Sequence, residues 1–536
     1  MASEKRQKAI DLSHHLSDLS RARGVSPLKG LAKYFGRPGV ISLAGGLPNP
    51  AYFPFNNIGA DVLVPDSFSL NTTGQDESSL SWFWKFFGRA GKERTTSISI
   101  PKFSETTEQV SLAVALQYGG IGLRQLQAFL NEFVEKVYQP AYSDFSILVH
   151  TGNTDGWSRV MQTLINPGES FLTEEWTYTS ALATTNPHGM HAVPIPMDKD
   201  GMSSTDLRSI LAGWDEKARG CKRPHVMYTV PVGQNPCGYT MSSIRKKEIY
   251  NICVEYDIII VEDDPYYFMQ QEDYVPKSER SSQSTGKYVN EADWLASLSP
   301  SYLKFDYQGR VIRLDTFSKY IAPGSRLGWH TCSPLFAERL ERQGETSTQT
   351  PCGFGQSLVT QLLTTWKYDG YIRWLHGIAV QYKNRRDFFI DTFGDEFHLV
   401  PSTSNIGFWK DRQVFDAYAK SKKCVMAEKG ELGTKLFSFV PPSAGMFIWL
   451  KVHFENCPGA NASGAERPEI QLWVKIAEAG VVISPGWFFA ADEENPPTDE
   501  TEGHFRISFS YADFETLRKA VKIIANVMKE FFRVSD

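Results

Sequence analysis

Short apolar runs alternate with helical patterns through the middle of the chain, and this alternation constrains the fold more than any other feature. The runs are continuous, which is typical of strands buried on both faces of a sheet. They lie at 145–149, 170–173, 192–196, 225–230, 257–261 and 311–314, with the clearest helical patterns between them at 157–165 and 244–255. Strands that alternate with helices predict βαβ units and a mostly parallel sheet between helices. We therefore expect an α/β fold.

The rest of the chain predicts further units around this sheet, because 536 residues exceed what one hydrophobic core usually holds. We interpret 1–60 as an N-terminal arm joining the small domain, 61–105 as an irregular insertion, 106–366 as the large domain and 367–536 as a smaller α+β domain. A polar, serine-rich stretch at 272–300 predicts a surface insertion in the large domain. Helices are predicted at 106–118, 122–138, 371–392, 469–478 and 513–532, and strands at 446–452 and 505–510.

Composition excludes several classes of protein. A net charge of −5 gives no electrostatic support for nucleic-acid binding. The seven cysteines include no C-x-x-C pair and are odd in number, which argues against a disulfide framework or a zinc site and favours a reducing compartment. The apolar runs are too short to cross a bilayer, and the N-terminus has no apolar signal core. We expect a cytoplasmic protein with no membrane partner.

The first candidate ligand site follows the run at 145–149, since open parallel sheets bind ligands at the carboxyl ends of their strands. Residues 151–156 read Thr-Gly-Asn-Thr-Asp-Gly and lead into a helical pattern. Small residues at a helix start leave free N–H groups that can bind an anion. An ordinary capped turn has the same composition, so this segment alone leaves both interpretations open.

Polar side chains also follow the runs at 225–230 and 257–261. Asn235 precedes Pro236, which holds it extended and would direct its amide into a cleft, although a plain Asn-Pro turn is equally consistent. Glu262, Asp263 and Asp264 end a buried strand, where carboxylates need a positive partner such as a protonated pyridine nitrogen or a metal. A metal is less favoured because the nearest histidines, at 225 and 330, form no ligand motif with this cluster. A solvated acidic loop is the remaining alternative.

A lysine follows the run at 311–314. Lys319 is preceded by Thr316 and Ser318, and Arg326 comes seven residues after it. A nearby cation and a low dielectric both lower a lysine pKa and make the amine nucleophilic toward an aldehyde. Arg326 and the two hydroxyls could bind a phosphate. Most lysines are solvated surface groups, but the flanks of this one are apolar or small.

Together these strand ends supply the groups that one cofactor needs. They offer an amine for a Schiff base, a carboxylate for a ring nitrogen, an amide and a phenol for a ring oxygen, and a phosphate cup. This combination matches pyridoxal 5'-phosphate.

At these positions the chain resembles the fold-type I pyridoxal-phosphate-dependent aminotransferases, most of all the fungal aromatic aminotransferases and the kynurenine/2-aminoadipate aminotransferases. The segments that show this resemblance are Ser-Leu-Ala-Gly-Gly-Leu-Pro-Asn-Pro at 42–50, Gln-Asn-Pro-Cys-Gly at 234–238, Val-Glu-Asp-Asp-Pro-Tyr-Tyr at 261–267, and Thr-Phe-Ser-Lys at 316–319 with Arg326. The resemblance covers nearly the whole chain apart from the insertions. It implies an aspartate-aminotransferase-like fold.

The resemblance also implies a role for each cofactor-site residue. Lys319 would bind the cofactor as a Schiff base and then act as the catalytic base. Asp263 would pair with the pyridinium nitrogen. The other contacts implied are Asn235 and Tyr266 at the ring oxygen, Tyr178 stacked on the ring, Asn153, Thr154, Thr316, Ser318 and Arg326 at the phosphate, and Tyr118 from the neighbouring subunit of a homodimer.

Substrate contacts are implied in the same way. Arg506 would bind the substrate carboxylate as a bidentate pair, and Asn235, Gly46 and Lys29 would also contact the substrate. Two positions depart from the family pattern. Lys29 stands where some relatives have arginine near the substrate side chain, and Asn153 with Thr154 stands where relatives often have Ser with Gln or Thr.

The implied activity is transfer of an amino group from phenylalanine, tyrosine, tryptophan, kynurenine or 2-aminoadipate to a 2-oxo acid such as 2-oxoglutarate, in a ping-pong cycle. A lyase or decarboxylase on the same scaffold is the alternative. A regulatory amino-acid sensor is a further one. Bacterial regulators of that kind carry an N-terminal helix-turn-helix domain, and residues 1–45 are too short for one and lack its pattern.

Overall fold

Two sheets dominate the computed structural model of this chain. It describes residues 6–27, 29–34, 38–41, 43–44, 46–70, 93–117, 119–280, 290–405, 407–420, 433–458, 466–498 and 501–534. The strands in chain order are β1 (Asn57–Leu63), β2 (Thr95–Pro101), β3 (Ser146–His150), β4 (Ser170–Glu174), β5 (His191–Ile195), β6 (Met197–Asp198), β7 (Gly201–Met202), β8 (Val226–Thr229), β9 (Ile259–Asp263), β10 (Val311–Thr316), β11 (Gly328–Cys332), β12 (Phe397–Thr403), β13 (Gln413–Ala419), β14 (Lys435–Phe439), β15 (Phe447–His453), β16 (Ser484–Pro485) and β17 (Glu502–Ser508).

Helices surround these strands. In the described part of the chain they are α1 (Asp18–Ala22), α2 (Leu112–Ala115), α3 (Arg124–Val137), α4 (Asn153–Leu164), α5 (Thr179–Thr185), α6 (Ser204–Ala212), α7 (Glu216–Arg219), α8 (Ser243–Glu255), α9 (Glu291–Ser297), α10 (Pro334–Glu345), α11 (Gly353–Glu396), α12 (Pro468–Glu478) and α13 (Phe514–Phe531). Most are amphipathic. In α3, for example, buried Leu126, Phe129, Leu130, Phe133 and Val134 recur at the helical period and form one apolar stripe.

The large lobe is built on a seven-stranded sheet of order β3-β11-β10-β9-β8-β4-β5. Neighbours from β10 through β5 pair in parallel, whereas β11 runs antiparallel to both β10 and β3. Every residue of β9 and of β10 is buried, which explains their continuous apolar character. The predicted α/β class with a mostly parallel sheet is confirmed.

The small lobe contains an antiparallel six-stranded sheet of order β12-β13-β14-β15-β17-β16. Its core is separate from that of the large lobe and includes the apolar faces of α12 and α13. The long helix α11 joins the two cores and is interrupted at Lys367, whose φ is 58°. Its side chains up to Ala379 pack in the large core, and those from Phe389 onward pack in the small one. The change of core therefore comes later in the chain than the predicted boundary at 366.

Three local predictions differ from the structure. Residues 61–105 were expected to be irregular, but both ends of this stretch form a β-ribbon in which β1 pairs with β2, while 71–92 lie outside the described residues. The helix predicted at 106–118 is confined to α2. Its N-terminal part is a turn, because the Ser111 hydroxyl and the Ala113 N–H both bind the Lys102 carbonyl at the end of β2. Strand β11 was not predicted at all.

The part of the N-terminal segment around residues 12–18 contacts the large lobe, and the predicted association of residues 1–60 with the small domain stays a prediction. Ser17 donates its hydroxyl to the Gln162 carbonyl at 2.7 Å, and the Asp18 N–H donates to Asn166. Leu12 is buried in the large core. Apolar burial and backbone pairing thus anchor this segment beside α4.

The stretch predicted as a surface insertion at 272–300 is attached to α11 on both sides of its undescribed part, 281–289. Arg280 forms a bidentate ion pair with Asp391 at 2.8 and 2.9 Å. Trp294 is buried and stacks on His376 with ring centroids 4.6 Å apart. In the part of the chain that the structure describes, no helix combines the length and apolarity needed to span a membrane.

Candidate active site

A cleft of about 190 Å³ opens at the carboxyl ends of the large-lobe strands. Its wall contains nearly all the residues that the sequence predicted for the cofactor: Asn153, Thr154, Tyr178, Asn235, Asp263, Tyr266, Thr316, Ser318, Lys319 and Arg326. They come together because β9 and β10 end in this cleft and the loops after β3, β4 and β8 reach it, as the carboxyl ends of parallel strands share one edge of a sheet.

Asp263, the last residue of β9, is a buried acceptor in this cleft. The Asn153 amide donates to its Oδ1 at 2.6 Å, and the Tyr228 hydroxyl donates to its Oδ2 at 2.6 Å. Burial raises the pKa of Asp263, and these two donors partly offset the rise. Each carboxylate oxygen has two acceptor sites, so the group can still accept a further N–H. A protonated ring nitrogen is such a donor.

The side chain of Asn153 points toward Asp263 and donates also to the Leu314 carbonyl at 3.2 Å. The sequence predicted this residue at a phosphate. Its side-chain amide is engaged elsewhere, so only its backbone N–H, in the first turn of α4, is in a position to meet an anion. Among the described residues, its buried Oδ1 has no hydrogen-bond partner.

The two carboxylates that flank Asp263 face away from the cleft, because neighbouring residues of a strand point to opposite faces. Both meet Arg313, a fully buried residue of β10. Its Nη1 lies 2.8 Å from Asp264 and 3.3 Å from Glu262, and its other nitrogens bind Asp315. The positive partner that the acidic cluster required is therefore an arginine for two of its three members. Sequence reasoning missed Arg313 as a partner, although a lone arginine in an apolar strand was a signal.

The residues around Gly152 form a site that fits a phosphate. Gly152 has φ 106°, and a Cβ placed there would collide with the Arg326 guanidinium, so only glycine lets this cation reach the start of α4. Arg326 Nη1 donates to Ser318 Oγ at 3.3 Å, and Thr316 Oγ1 donates to Ser318 Oγ at 2.9 Å. A helix N-terminus, a guanidinium and two hydroxyls thus converge, as a phosphate requires.

Lys319 ends the short 3-10 helix Phe317–Lys319 directly after β10 and lies half-buried in the cleft. Burial lowers the pKa of its amine, and the cations Arg506 and Arg326 lower it further, while Asp263 acts in the opposite direction. The net effect is an amine that gives up its proton more readily than a surface lysine does.

Arg506, on β17 of the small lobe, reaches the same cleft from the other side. Its Nη1 donates to Asn235 Oδ1 at 2.7 Å and its Nη2 donates to Ser484 Oγ at 3.1 Å. The guanidinium carbon lies 4.1 Å from the ring centre of Phe447 and 4.6 Å from that of Phe489. No group in the described part of the chain accepts a hydrogen bond from its buried Nε. A guanidinium held in this way can bind a carboxylate.

Three predicted residues are not placed in the cleft. Tyr118 lies outside the described residues. Lys29 begins the 3-10 helix Lys29–Tyr34, and Gly46 lies in an exposed segment. Their roles stay predictions. The sequence did not indicate a role for Tyr228, because a tyrosine is ordinary in an apolar strand.

Comparisons with known proteins agree with this geometry. The family described as aminotransferase class I and II matches residues 114–430. The chain belongs to this family. It is 36% identical to an aromatic amino acid aminotransferase of Schizosaccharomyces pombe, over 98% of each chain, and 31% identical to an L-tyrosine:2-oxoglutarate aminotransferase of Tapinella panuoides, over 98% of this chain and 97% of the other.

A solved structure, that of an aminotransferase from Candida albicans, superposes with a TM-score of 0.81 at 31% identity and covers 99% of this chain and all of the other. The class I and II aminotransferases use pyridoxal phosphate. This enzyme is therefore a pyridoxal-phosphate-dependent aminotransferase of fold type I, and the acceptor, cation and anion sites described above fit that cofactor.

Proposed function

We propose that this enzyme transfers the amino group of an aromatic L-amino acid, such as phenylalanine, tyrosine, tryptophan or kynurenine, to 2-oxoglutarate; 2-aminoadipate is a further candidate donor. The observation that carries the proposal is Arg506, a cation held by Asn235 between two aromatic rings at the cleft. It offers a site for the carboxylate that every amino donor and every 2-oxo acid bears. The aromatic preference is supported by the names of the fungal relatives.

Each cofactor contact is part of the same proposal. Asp263 would accept the N–H of the ring, and Asn235 and Tyr266 would donate to the ring oxygen. Tyr178, directly before α5, would stack on the ring. The phosphate would be held by Thr154, Thr316, Ser318, Arg326 and the backbone at Asn153. When bound, pyridoxal phosphate withdraws electrons from the α-carbon of the amino acid.

Lys319 moves the proton in this proposal. Its lowered pKa favours the neutral amine, which would remove the α-proton of the substrate and return it to a carbon of the cofactor. Arg506 would orient the substrate through two parallel hydrogen bonds to its carboxylate, so that the α-proton faces Lys319. The donors Asn153 and Tyr228 favour the ionised form of Asp263 against the effect of burial, and an ionised Asp263 would favour a protonated ring nitrogen.

We also propose a homodimer that shares its active sites. Large apolar side chains are exposed on the N-terminal segment and on α2, with Leu43 93%, Ile41 87%, Tyr52 84% and Val114 64% exposed. Exposed apolar side chains that cluster are typical of a protein interface. Residue 118, which the resemblance places at the partner's phosphate, directly follows this region in the chain.

A cytoplasmic location is proposed on the state of the cysteines. Those of the described residues, at 221, 237, 253, 332, 352 and 457, are free thiols. Free thiols are typical of reducing compartments.

A panel of amino donors and 2-oxo acids tests the proposed activity. We expect the highest kcat/KM for aromatic donors with 2-oxoglutarate. Arg506→Lys loses the bidentate pair, worth about 1.5–3 kcal/mol, and should lower kcat/KM about 10- to 100-fold for donor and acceptor alike. Arg518→Ala, which removes an exposed arginine that stacks on Phe388, is the control and should retain activity. Release of ammonia or carbon dioxide in place of amino transfer would favour a lyase or decarboxylase.

A further inference from the structure

A cluster of imidazoles and carboxylates joins the N-terminal segment to the large lobe at the edge of the sheet opposite the active site. His14 and His15 belong to the 3-10 turn Ser13–His15. Asp257 precedes β9, His225 precedes β8 and Glu169 precedes β4, so all three lie at the amino ends of their strands. No catalytic role described above uses this cluster.

The carboxylate of Asp257 lies between the two neighbouring imidazoles. His14 Nε2 is 2.7 Å from its Oδ2, and His15 Nε2 is 3.0 Å from its Oδ1. The ligand atoms of all three residues lie within 4.8 Å of one another. Two imidazole nitrogens and one carboxylate oxygen are a donor set that suits zinc and similar dications, with a fourth position open to water.

Two further side chains lie behind His15. His15 Nδ1 lies 3.0 Å from His225 Nδ1, and His225 Nε2 lies 3.7 Å from Glu169 Oε2. If a metal takes the His15 Nε2 lone pair, His15 can donate through Nδ1 to His225, and the Nε2–H of His225 then points toward the Glu169 carboxylate. Contacts of this kind orient metal-bound histidines.

We propose that His14 Nε2, His15 Nε2 and Asp257 Oδ2 form a binding site for a divalent transition-metal ion of the zinc class, with His225 and Glu169 orienting His15. Metal-bound histidines commonly donate their second N–H to a chain of this kind. Asp257 is far in sequence from the adjacent His14 and His15, so no spacing motif marks the site.

The surroundings of Asp257 are compatible with an ion. Arg310 Nη1 lies 3.5 Å from Oδ1, but it also donates to the Ile258 carbonyl at 2.9 Å, and its other nitrogens donate to Gln308. Arg310 therefore contacts Oδ1 of Asp257, whereas the proposed ion binds Oδ2. Asp257 and His14 are 47% and 59% exposed, which gives an ion access from solvent, whereas His15 is buried and fixed.

Bound metal would fasten the N-terminal segment to the large lobe. His14 and His15 lie just before α1, which contacts α4. We therefore expect a dication to slow amide hydrogen exchange in residues 13–22.

Calorimetric titration of the tag-free, cofactor-loaded enzyme with zinc sulfate, after treatment with a chelator, tests the site. We expect one ion per chain, and the visible bands of four-coordinate cobalt when Co²⁺ replaces zinc. His14→Ala and Asp257→Asn should abolish this binding, and Glu169→Gln should weaken it about 10- to 100-fold. Asparagine suits position 257 because it tolerates the φ of 55° found there.

His398→Ala, at an exposed histidine of β12, is the matched control and should bind as the unaltered enzyme does. His14 is exposed, so its removal leaves the fold intact, and retention of the cofactor's absorbance verifies this. Absence of stoichiometric binding to the unaltered enzyme would overturn the proposal. Equal binding by His14→Ala and Asp257→Asn would overturn it as well.

Discussion

At the scale of single residues, the basicity of Lys319 depends on the groups that share its cleft. Burial favours the neutral amine, two arginines add to this effect, and one carboxylate opposes it. The same arginines are placed to bind the phosphate and the substrate carboxylate. The residues that are proposed to bind anions would therefore also prepare the amine for proton transfer.

This arrangement predicts a titration in the cofactor-free protein. Because its pKa is lowered, Lys319 should reach half-deprotonation at a lower pH than an exposed lysine does, and Asp263→Asn should lower that pH further by removing an attractive anion. Competitive acetylation across pH, read by peptide mass spectrometry with exposed Lys522 as internal reference, measures it. Equal reactivity of both lysines at every pH would contradict the expectation.

Tyr228 is a positioning residue for Asp263. Its hydroxyl donates to the carboxylate, and both groups are buried. Tyr228→Phe should raise the pKa of Asp263 further, since one donor that stabilises the charged form is lost. A hydrogen bond to a charged group contributes about 1.5–3 kcal/mol, so cofactor affinity should fall about 10- to 100-fold.

Equilibrium dialysis with pyridoxal phosphate measures this affinity, and the pH titration of the bound cofactor's absorbance should shift with it. Tyr250→Phe is the control, because this buried tyrosine donates to Asp306 at 3.0 Å away from the cleft. If the two variants bound the cofactor equally well, Tyr228 would have only a structural role.

At the scale of secondary structure, successive side chains at the ends of β9 and β10 point alternately into the cleft and into the core. Asp263 faces the cleft, whereas Glu262 and Asp264 face a buried arginine. Arg313 also lies over the ring of Tyr138, at 3.9 Å from its centre. One acidic triplet thus serves the active site and the core at once.

Arg313→Met should destabilise the fold strongly, since a side chain of similar length replaces the cation and leaves its carboxylates buried without the positive charge that they contact. Breaking a buried pair in this way costs about 3–5 kcal/mol. Urea unfolding followed by fluorescence measures the loss. Arg208→Met, at an exposed ion pair with Glu255, should change stability little. An unchanged midpoint for Arg313→Met would mean that the carboxyls are already protonated.

The elements that the sequence predicted well are those with strong local patterns. The buried parallel strands and helices α3, α12 and α13 combine apolar periodicity with clear ends. Strands β11, β12, β13 and β14 were missed, because β11 contains a histidine and a tryptophan, and the others lie in segments of mixed polarity.

The cleft residues were predictable because strand ends converge. The orientation of Asn153 and the pairing of Arg313 were not, since both depend on packing between neighbouring strands.

At the scale of the whole molecule, the active site lies between two lobes that share one long helix. Arg506 comes from the small lobe, and Asn235, to which it donates, comes from the large one. Any motion at α11 would therefore alter the distance between the substrate carboxylate site and Lys319. The proposed dimer would add Tyr118 of the neighbouring subunit to this arrangement.

The dimer is tested by sedimentation velocity. We expect the unaltered enzyme to sediment as a dimer and Leu43→Asp with Val114→Asp to sediment as a monomer, because charges on an apolar interface remain unpaired. Val482→Asp alters a residue that is 81% exposed elsewhere and should leave the dimer intact. A monomeric unaltered enzyme would refute the shared active site.

The central claim is that Lys319 carries the cofactor and releases it to an amino acid. Borohydride reduction of the holoenzyme, followed by peptide mass spectrometry, tests it most directly. We expect a phosphopyridoxyl group on the peptide that contains Lys319. We also expect this label to be lost when L-tyrosine is added before reduction. A label on another lysine, or one that L-tyrosine does not remove, would contradict it.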